Sequence, residues 1–260
     1  MKIRANGIDI EYRIEGSGPW VMLSHSLSTD LRMWDGQAAA LAARYSVLRY
    51  DTRGHGGSGV PPAPYAFADM AGDALALMDA LGVAAVRFVG LSMGGMIGQH
   101  LALQAAERLE RLVVASSTSR IPPEGAAIWD ERIATVRAEG MAAMVEPTLG
   151  RWFTEAFRRD HPEAMARIGG MIRNSPPEGY IGCGMAIRGL DITGRLGAVR
   201  TPTLVVVGEQ DPGTPVAASR AIAQAVPGAR LEIIPDASHL CNIQQEEAFN
   251  RLLLDFLAEA

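Results

Sequence analysis

Val86-Arg87-Phe88-Val89-Gly90-Leu91-Ser92-Met93-Gly94-Gly95-Met96-Ile97-Gly98-Gln99 joins a short apolar run, a serine set between glycines and the start of a helical pattern. The run Val86 to Val89 suits a buried strand, and the helix-length segment Met93 to Ala106 follows it. Between them, Gly90-Leu91-Ser92-Met93-Gly94 fits G-x-S-x-G, a common pattern that gains meaning from a strand before it and a helix after it. So sharp a strand-to-helix turn forces Ser92 into a strained backbone conformation, and the flanking glycines remove Cβ atoms that would clash there. The Ser92 hydroxyl is then left exposed above the strand ends, where it can act as a nucleophile.

The alternation of apolar run and helical pattern recurs along the chain. Runs at Trp20 to Leu23, Val47 to Tyr50, Leu112 to Ala115, Leu204 to Val207 and Leu231 to Ile234 suit strands buried on both faces, with helix-length segments such as Tyr65 to Leu81 between most of them. Ile8 to Ile14 alternates apolar and polar residues after the turn signal Asn6-Gly7, so the sheet is expected to begin antiparallel. The class is α/β, with a mostly parallel, doubly wound sheet. The rhythm breaks between Ser116 and Arg200, where helical patterns (Ile128 to Arg137, Met141 to Leu149, Glu163 to Arg173) are punctuated by Pro122-Pro123 and Pro176-Pro177. Residues 119–197 therefore read as a helical cap inserted after the sixth strand, and residues 1–118 with 198–260 as the core. The methionines of the cap suit either an adaptable binding surface or plain packing against the core.

Bulk properties narrow the function. With 260 residues, 48% hydrophobic and 20% charged, the chain has the balance of an ordinary globular protein. A net charge of -5 with dispersed basic residues gives no footprint for nucleic acid or for an anionic membrane. The first residues lack the apolar stretch of a secretory signal and no later run is long enough to span a bilayer, which points to a cytoplasmic location. The two cysteines, Cys183 and Cys241, have no metal-type spacing and read as unpaired thiols. No metal and no organic cofactor is implied, and the expected partner is a small molecule.

A serine hydroxyl needs a base to take its proton and return it to the leaving group. Of the five histidines, only His239 lies in a loop beyond the last expected strand and before the final helix. His100 falls inside the helix that follows Ser92, and His161 lies in the cap. The third group must be a carboxylate that orients the imidazole. Asp211 fits, in a strand-end turn after Leu204 to Val207; Glu209 lies closer to the strand and Asp236 close to His239 in sequence. The order Ser92, Asp211, His239 is that of the α/β-hydrolase fold. Two backbone amides are candidates for an oxyanion hole: Met93, at the helix N-terminus, and Leu27, in the loop Ser24-His25-Ser26-Leu27. Members of this fold often carry His-Gly where this chain has His25-Ser26, so either Ser26 takes a glycine-like conformation or the loop differs. The cluster Asp51-Thr52-Arg53-Gly54-His55-Gly56-Gly57-Ser58 reads as a tight loop held by side-chain hydrogen bonds, a structural support.

The sequence resembles the 3-oxoadipate enol-lactonases of bacterial aromatic catabolism nearly end to end. The resemblance rests on Ser28-Thr29-Asp30-Leu31-Arg32-Met33-Trp34-Asp35, Tyr50 to Gly56, Gly90 to Gln99 and Arg151-Trp152-Phe153-Thr154, with Gly182-Cys183, Ala186-Ile187-Arg188, Ala237 to Leu240 and Asn242-Ile243. It implies an α/β-hydrolase that opens a five-membered unsaturated lactone bearing a carboxymethyl arm, giving 3-oxoadipate. It also implies a basic residue where the chain enters the cap, which is Arg120, with Arg32 and Arg188 as alternatives; Trp129 is then a candidate apolar wall. Another esterase or lactonase of the same fold, a carbon–carbon bond hydrolase, a cofactor-free haloperoxidase and a ligand receptor are the other readings compatible with these residues.

Overall fold

The computed structural model describes residues 1–259. Eight strands form one sheet: β1 (Lys2–Ala5), β2 (Ile8–Glu15), β3 (Trp20–Ser24), β4 (Ser46–Tyr50), β5 (Val86–Leu91), β6 (Leu109–Ala115), β7 (Thr203–Gly208) and β8 (Arg230–Ile234). Their spatial order is β1-β2-β4-β3-β5-β6-β7-β8. The β1–β2 and β2–β4 pairings are antiparallel and all the others parallel. The expected antiparallel start and parallel body are both present.

The helices are α1 (Asp35–Leu41), α2 (Phe67–Ala80), α3 (Met93–Gln104), α4 (Pro123–Glu139), α5 (Val145–Trp152), α6 (Glu155–Asp160), α7 (Pro162–Asn174), α8 (Pro177–Arg188), α9 (Val216–Ala225), α10 (Cys241–Gln244) and α11 (Glu246–Ala258). Every residue of β7, and all but Arg87 of β5, is buried, which requires side chains to be covered on both faces of the sheet. Helix α1 packs with α11 and α2 with α3. The final strand departs from expectation. Although its apolar run suits burial, β8 pairs only with β7 and is mostly exposed, with Ile233 at 38%. It is an edge strand, and edge position rather than composition sets its exposure.

Helices α4 to α8 lie between β6 and β7, in the segment read as the cap. At its neck the chain enters and leaves through a short antiparallel bridge, in which Ile121 N–H donates to Leu190 O (2.9 Å) and Ile192 N–H to Ser119 O (2.9 Å). Met141, Met144 and Met171 are buried in the hydrophobic core, so these cap methionines serve packing. Helix α8 was not legible in the sequence because Gly179, Gly182 and Gly184 lower its intrinsic propensity. Contact explains two of them: a Cβ on Gly179 would overlap the Gly54 carbonyl, and one on Gly182 would lie 2.8 Å from the Tyr65 ring. The cap thus rests on the Asp51–Ser58 loop through bare backbone. No helix among the described residues is long and apolar enough to cross a membrane.

Gly179→Ala is expected to cost about 1–3 kcal/mol of stability, because the obstructing atoms are backbone and cannot swing aside. Gly170→Ala in α7, where nothing lies within 4 Å of the added methyl, is expected to be neutral or to stabilise by up to about 1 kcal/mol. Thermal denaturation of the two variants side by side checks the contrast; equal melting temperatures would refute the close-approach explanation.

Candidate active site

The junction of β5 and α3 places Ser92 at φ 57° and ψ -113°, a left-handed backbone that serine rarely adopts. Its N–H donates to Ala115 O on β6 (2.8 Å), and its carbonyl accepts from Ser117 Oγ (2.8 Å) and Met96 N–H (3.0 Å). The flanking glycines have concrete obstacles: a Cβ on Gly90 would overlap Gly94 O, and one on Gly94 would overlap Ser24 O. The turn is possible only with both side chains absent.

Asp211 and His239 meet where the loops after β7 and β8 converge. His239 Nδ1 lies 2.8 Å from Asp211 Oδ2, and both side chains are buried. The remaining capacity of the carboxylate is taken by Gly213 N–H (2.8 Å), Thr214 N–H (3.0 Å) and the Thr214 hydroxyl (2.6 Å). Burial alone would raise the Asp211 pKa; the electrostatic attraction of the adjoining His239 ring and the hydrogen bonds from His239 and Thr214 outweigh it and hold the carboxyl below the usual carboxylate range. An ionised Asp211 accepts from Nδ1–H, which leaves Nε2 as the unprotonated, basic nitrogen. The two rival carboxylates, Glu209 and Asp236, are exposed.

Ser92 and His239 line one cavity of about 680 Å³, including its mouth, beneath the cap. Leu27 lines it as well, and neither its amide nor that of Met93 has a hydrogen-bond acceptor among the described residues. The loop carrying Leu27 differs from the glycine-like expectation. Ser28, not Ser26, takes the left-handed conformation, at φ 64°. Two buried histidines hold this loop: His25 donates from Nδ1 to Ser26 O (2.7 Å) and accepts Thr52 N–H at Nε2 (2.9 Å), while His55 Nε2 accepts Ser28 N–H (3.0 Å). Burial, reinforced by the neighbouring His25 imidazole, pushes the His55 pKa down to about 3, so it stays neutral and able to accept. Asp51 joins the same frame through Leu31 N–H (2.7 Å) and Gly57 N–H (2.7 Å). His100 is buried, donating to Met96 O (2.9 Å) and stacked on Phe67, whereas His161 is exposed beside Phe157.

The cap contributes Trp129, Trp152, Tyr180 and Ile187 as apolar and aromatic walls, with Trp129 where it was expected. It also contributes two cations that the sequence reading missed, Arg132 and Arg151. Arg132 lies 4.9 Å from the centroid of Trp129, and Arg151 donates to Thr148 Oγ1 (3.1 Å); neither forms an ion pair among the described residues. Burial, then the neighbouring Arg132, lowers the Arg151 pKa, the signature of a cation held without a counter-charge. Arg120 is not at this cavity. It sits on the cap neck between Ser119, which is buried, and Ile121, which lines the cavity, so its side chain points the other way, 61% exposed and 3.5 Å from Asp191. Arg32 and Arg188 are likewise turned outward, paired with Asp30 and Asp130. The available signal for Arg132 was its place in the stripe Trp129, Arg132, Ile133, Val136, an i, i+3, i+4, i+7 face of α4. Among the described residues no group of three or more His, Cys, Asp or Glu side chains is arranged to hold a metal ion.

Comparison with known proteins gives the family of this chain. The family described as alpha/beta hydrolase fold matches residues 19–245. The chain is 35% identical over 250 residues to 3-oxoadipate enol-lactonase 2 of Acinetobacter baylyi, covering 95% of this chain and 92% of that protein. It superposes on the crystal structure of the enol-lactonase from Burkholderia xenovorans LB400 with a TM-score of 0.96 and 40% identity, over 100% of both chains. A malate-bound thermophilic esterase from Thermogutta terrifontis aligns with a TM-score of 0.93 and 32% identity, over 99% of this chain and 98% of the other. The fold, the family match and relatives that share nearly the whole length together place this chain in the α/β-hydrolase family, as a hydrolase.

Proposed function

We propose that the protein opens 3-oxoadipate enol-lactone, a five-membered lactone carrying a carboxymethyl arm, to 3-oxoadipate. One observation carries this reading beyond ester hydrolysis in general: Arg132 and Arg151, without acidic partners, line the same cavity as Ser92 and His239. A small substrate that presents both an acyl carbon and a carboxylate matches that pairing. The likeness to named enol-lactonases supports it.

In the proposed reaction His239 Nε2 takes the Ser92 proton as Oγ attacks the lactone carbonyl. The tetrahedral oxygen becomes negative within reach of the Leu27 and Met93 amides, fixed donors that need no reorganisation. Collapse breaks the ring carbon–oxygen bond. The departing enol oxygen takes a proton from His239 and remains tethered to the acyl group, and its tautomerisation to a ketone prevents reclosure. Water, deprotonated by the same imidazole, then releases the acid from Ser92. Asp211 stays ionised throughout, orienting Nδ1 and stabilising the imidazolium. Arg132 and Arg151 hold the carboxymethyl arm, and Trp129 and Trp152 exclude water around the ring.

A second reading, hydrolysis of a different anionic ester, is favoured by the likeness to the Thermogutta esterase, because the arginines suit any carboxylated acyl compound. Turnover of the enol-lactone, followed by loss of its ultraviolet absorbance, against a panel of neutral and anionic esters decides between them. Rapid ester turnover with negligible lactone turnover rejects the lactonase proposal.

Ser92→Ala and His239→Ala are each expected to abolish most of the catalysed rate, leaving ~10³-fold over water from binding and oxyanion stabilisation, and Asp211→Asn to lower kcat by roughly 10³- to 10⁴-fold. Near-normal kcat in any of the three would remove that residue from the reaction. For Arg132→Ala and Arg151→Ala, KM for the carboxylated lactone is expected to rise about 10-fold or more, as for loss of a charge-assisted hydrogen bond, with little change for a neutral aryl ester. Arg120→Ala should leave both substrates unaffected; a selective rise of KM in that variant would restore Arg120 to the recognition site.

A further inference from the structure

His239 stands on a loop whose backbone the core holds, with Gln210 N–H donating to Ala237 O (2.8 Å), but its ring is hydrogen-bonded to the core at a single atom. The loop leaves β8 through Asp236, a non-glycine residue at φ 52°, and the imidazole bonds to the core through Nδ1 alone, with the Asp211 carboxylate and, at 3.3 Å, the Thr214 hydroxyl beside it. Anchoring at one ring atom fixes the position of Nδ1 but leaves the ring free to pivot, and a pivot displaces Nε2, the atom that must reach Ser92. Further constraints come from the cap. The Trp152 indole lies against the imidazole, with centroids 5.9 Å apart and planes 23° from parallel. On either side of His239, Ser238 Oγ donates to Arg151 O (2.9 Å) and Leu240 N–H donates to Trp152 O (3.1 Å).

One side chain fastens the two segments together. Gln244, the last residue of α10, is not part of the substrate cavity and borders a separate surface groove. Its Nε2 donates to Thr154 Oγ1 (2.6 Å) and Asp236 O (2.9 Å), and its Oε1 accepts from Ser238 N–H (3.2 Å) and Thr154 N–H (3.4 Å). The partners dictate the orientation of the amide, since a carbonyl only accepts and a backbone N–H only donates. All four capacities of the carboxamide are used, two on the strap Arg151–Thr154 and two on the loop Asp236–Ser238.

We propose that Gln244 is a positioning residue for His239, latching the base-bearing loop to the cap strap Arg151–Thr154 so that Trp152 and the Asp211 carboxylate together fix the angle of the imidazole. The proposal rests on the reading of His239 as general base and is independent of which ester or lactone is the substrate.

The test uses Gln244→Leu, which removes all four bonds at similar volume, and Gln244→Glu, which keeps the acceptor facing the two backbone N–H groups but replaces the donor. Rates on the neutral ester p-nitrophenyl acetate are measured per active site, the sites being counted by complete labelling of Ser92 with a fluorophosphonate, at temperatures well below each melting point. Misplacement of a reacting group predicts a fall in kcat of ~10- to ~100-fold in Gln244→Leu. KM is expected to stay within about twofold, since no substrate contact is lost, and Gln244→Glu should recover part of kcat. A purely structural role lowers the melting temperature while kcat per labelled site stays at the wild-type value, and that result overturns the proposal. Should Gln244→Leu fail to fold, Thr154→Ala, which removes the hydroxyl that accepts from Gln244 Nε2, is expected to lower kcat about fivefold, the worth of a single hydrogen bond; unchanged kcat in that variant overturns it equally. Full activity of His239→Ala would instead defeat the reading of the base, an outcome read separately from the latch.

Discussion

A strained backbone turn at Ser92 is the constraint around which the rest of the molecule is arranged. Left-handed geometry at a serine costs about 1–3 kcal/mol and persists only where the surroundings over-determine it. Here they do: β6 accepts the Ser92 N–H, Ser117 caps its carbonyl, and bare backbone at Gly90 and Gly94 lets β5, α3 and the end of β3 approach closely. The same close approach ties the oxyanion loop to the nucleophile. Because Gly94 packs on Ser24 O, the loop that begins at Ser24 is carried to the N-terminus of α3, and the Leu27 amide comes to the cavity that Ser92 lines.

Electrostatics then sets which groups are charged beneath the cap. Asp211 remains ionised although buried because every oxygen lone pair faces a donor. His55 stays neutral for the opposite reason, since burial beside a second imidazole penalises its charged form. Arg132 and Arg151 stand apart from both cases, as neighbouring like charges with no counter-ion. Such a pair lowers the stability of the free protein, and a carboxylated substrate of the kind proposed would remove that penalty on binding. On the proposed function, stability forgone in the free cavity reappears as affinity for an anion.

What could be read from sequence follows from how local each signal is. The turn at Ser92 was legible because its glycines, its strand and its helix are contiguous, and Asp211 and His239 because they follow strands in a fixed order. The structural role of His55 was legible from the glycines around it. Helix α8 was not, because its glycines answer to Gly54 and Tyr65, which are distant in sequence. Nor were the cations that line the cavity. Arg120 was chosen by its place at the cap entrance, but one residue of extended chain turns a side chain to the opposite face, and the inward position belongs to Ile121. Arg132 becomes a cavity residue only once α4 is laid across the mouth, a placement that depends on the whole cap. The exposure of β8 escaped for a similar reason, since an edge is a property of the sheet and not of the strand.

The division of labour between core and cap is less clean than the chain order suggests. The core can bring a serine, a carboxylate and two amides together from strand ends, yet it hydrogen-bonds the His239 ring at Nδ1 alone. The segment Arg151–Trp152 supplies what is missing: its carbonyls bind both neighbours of His239, its indole covers the ring, and its guanidinium faces the space meant for the substrate. A cap that only shaped the pocket could be exchanged among hydrolases without touching the attack step. A cap that also bears on the base cannot, because any shift of α5 that alters substrate fit must move the imidazole too, and substrate preference and turnover are then coupled through the same few residues.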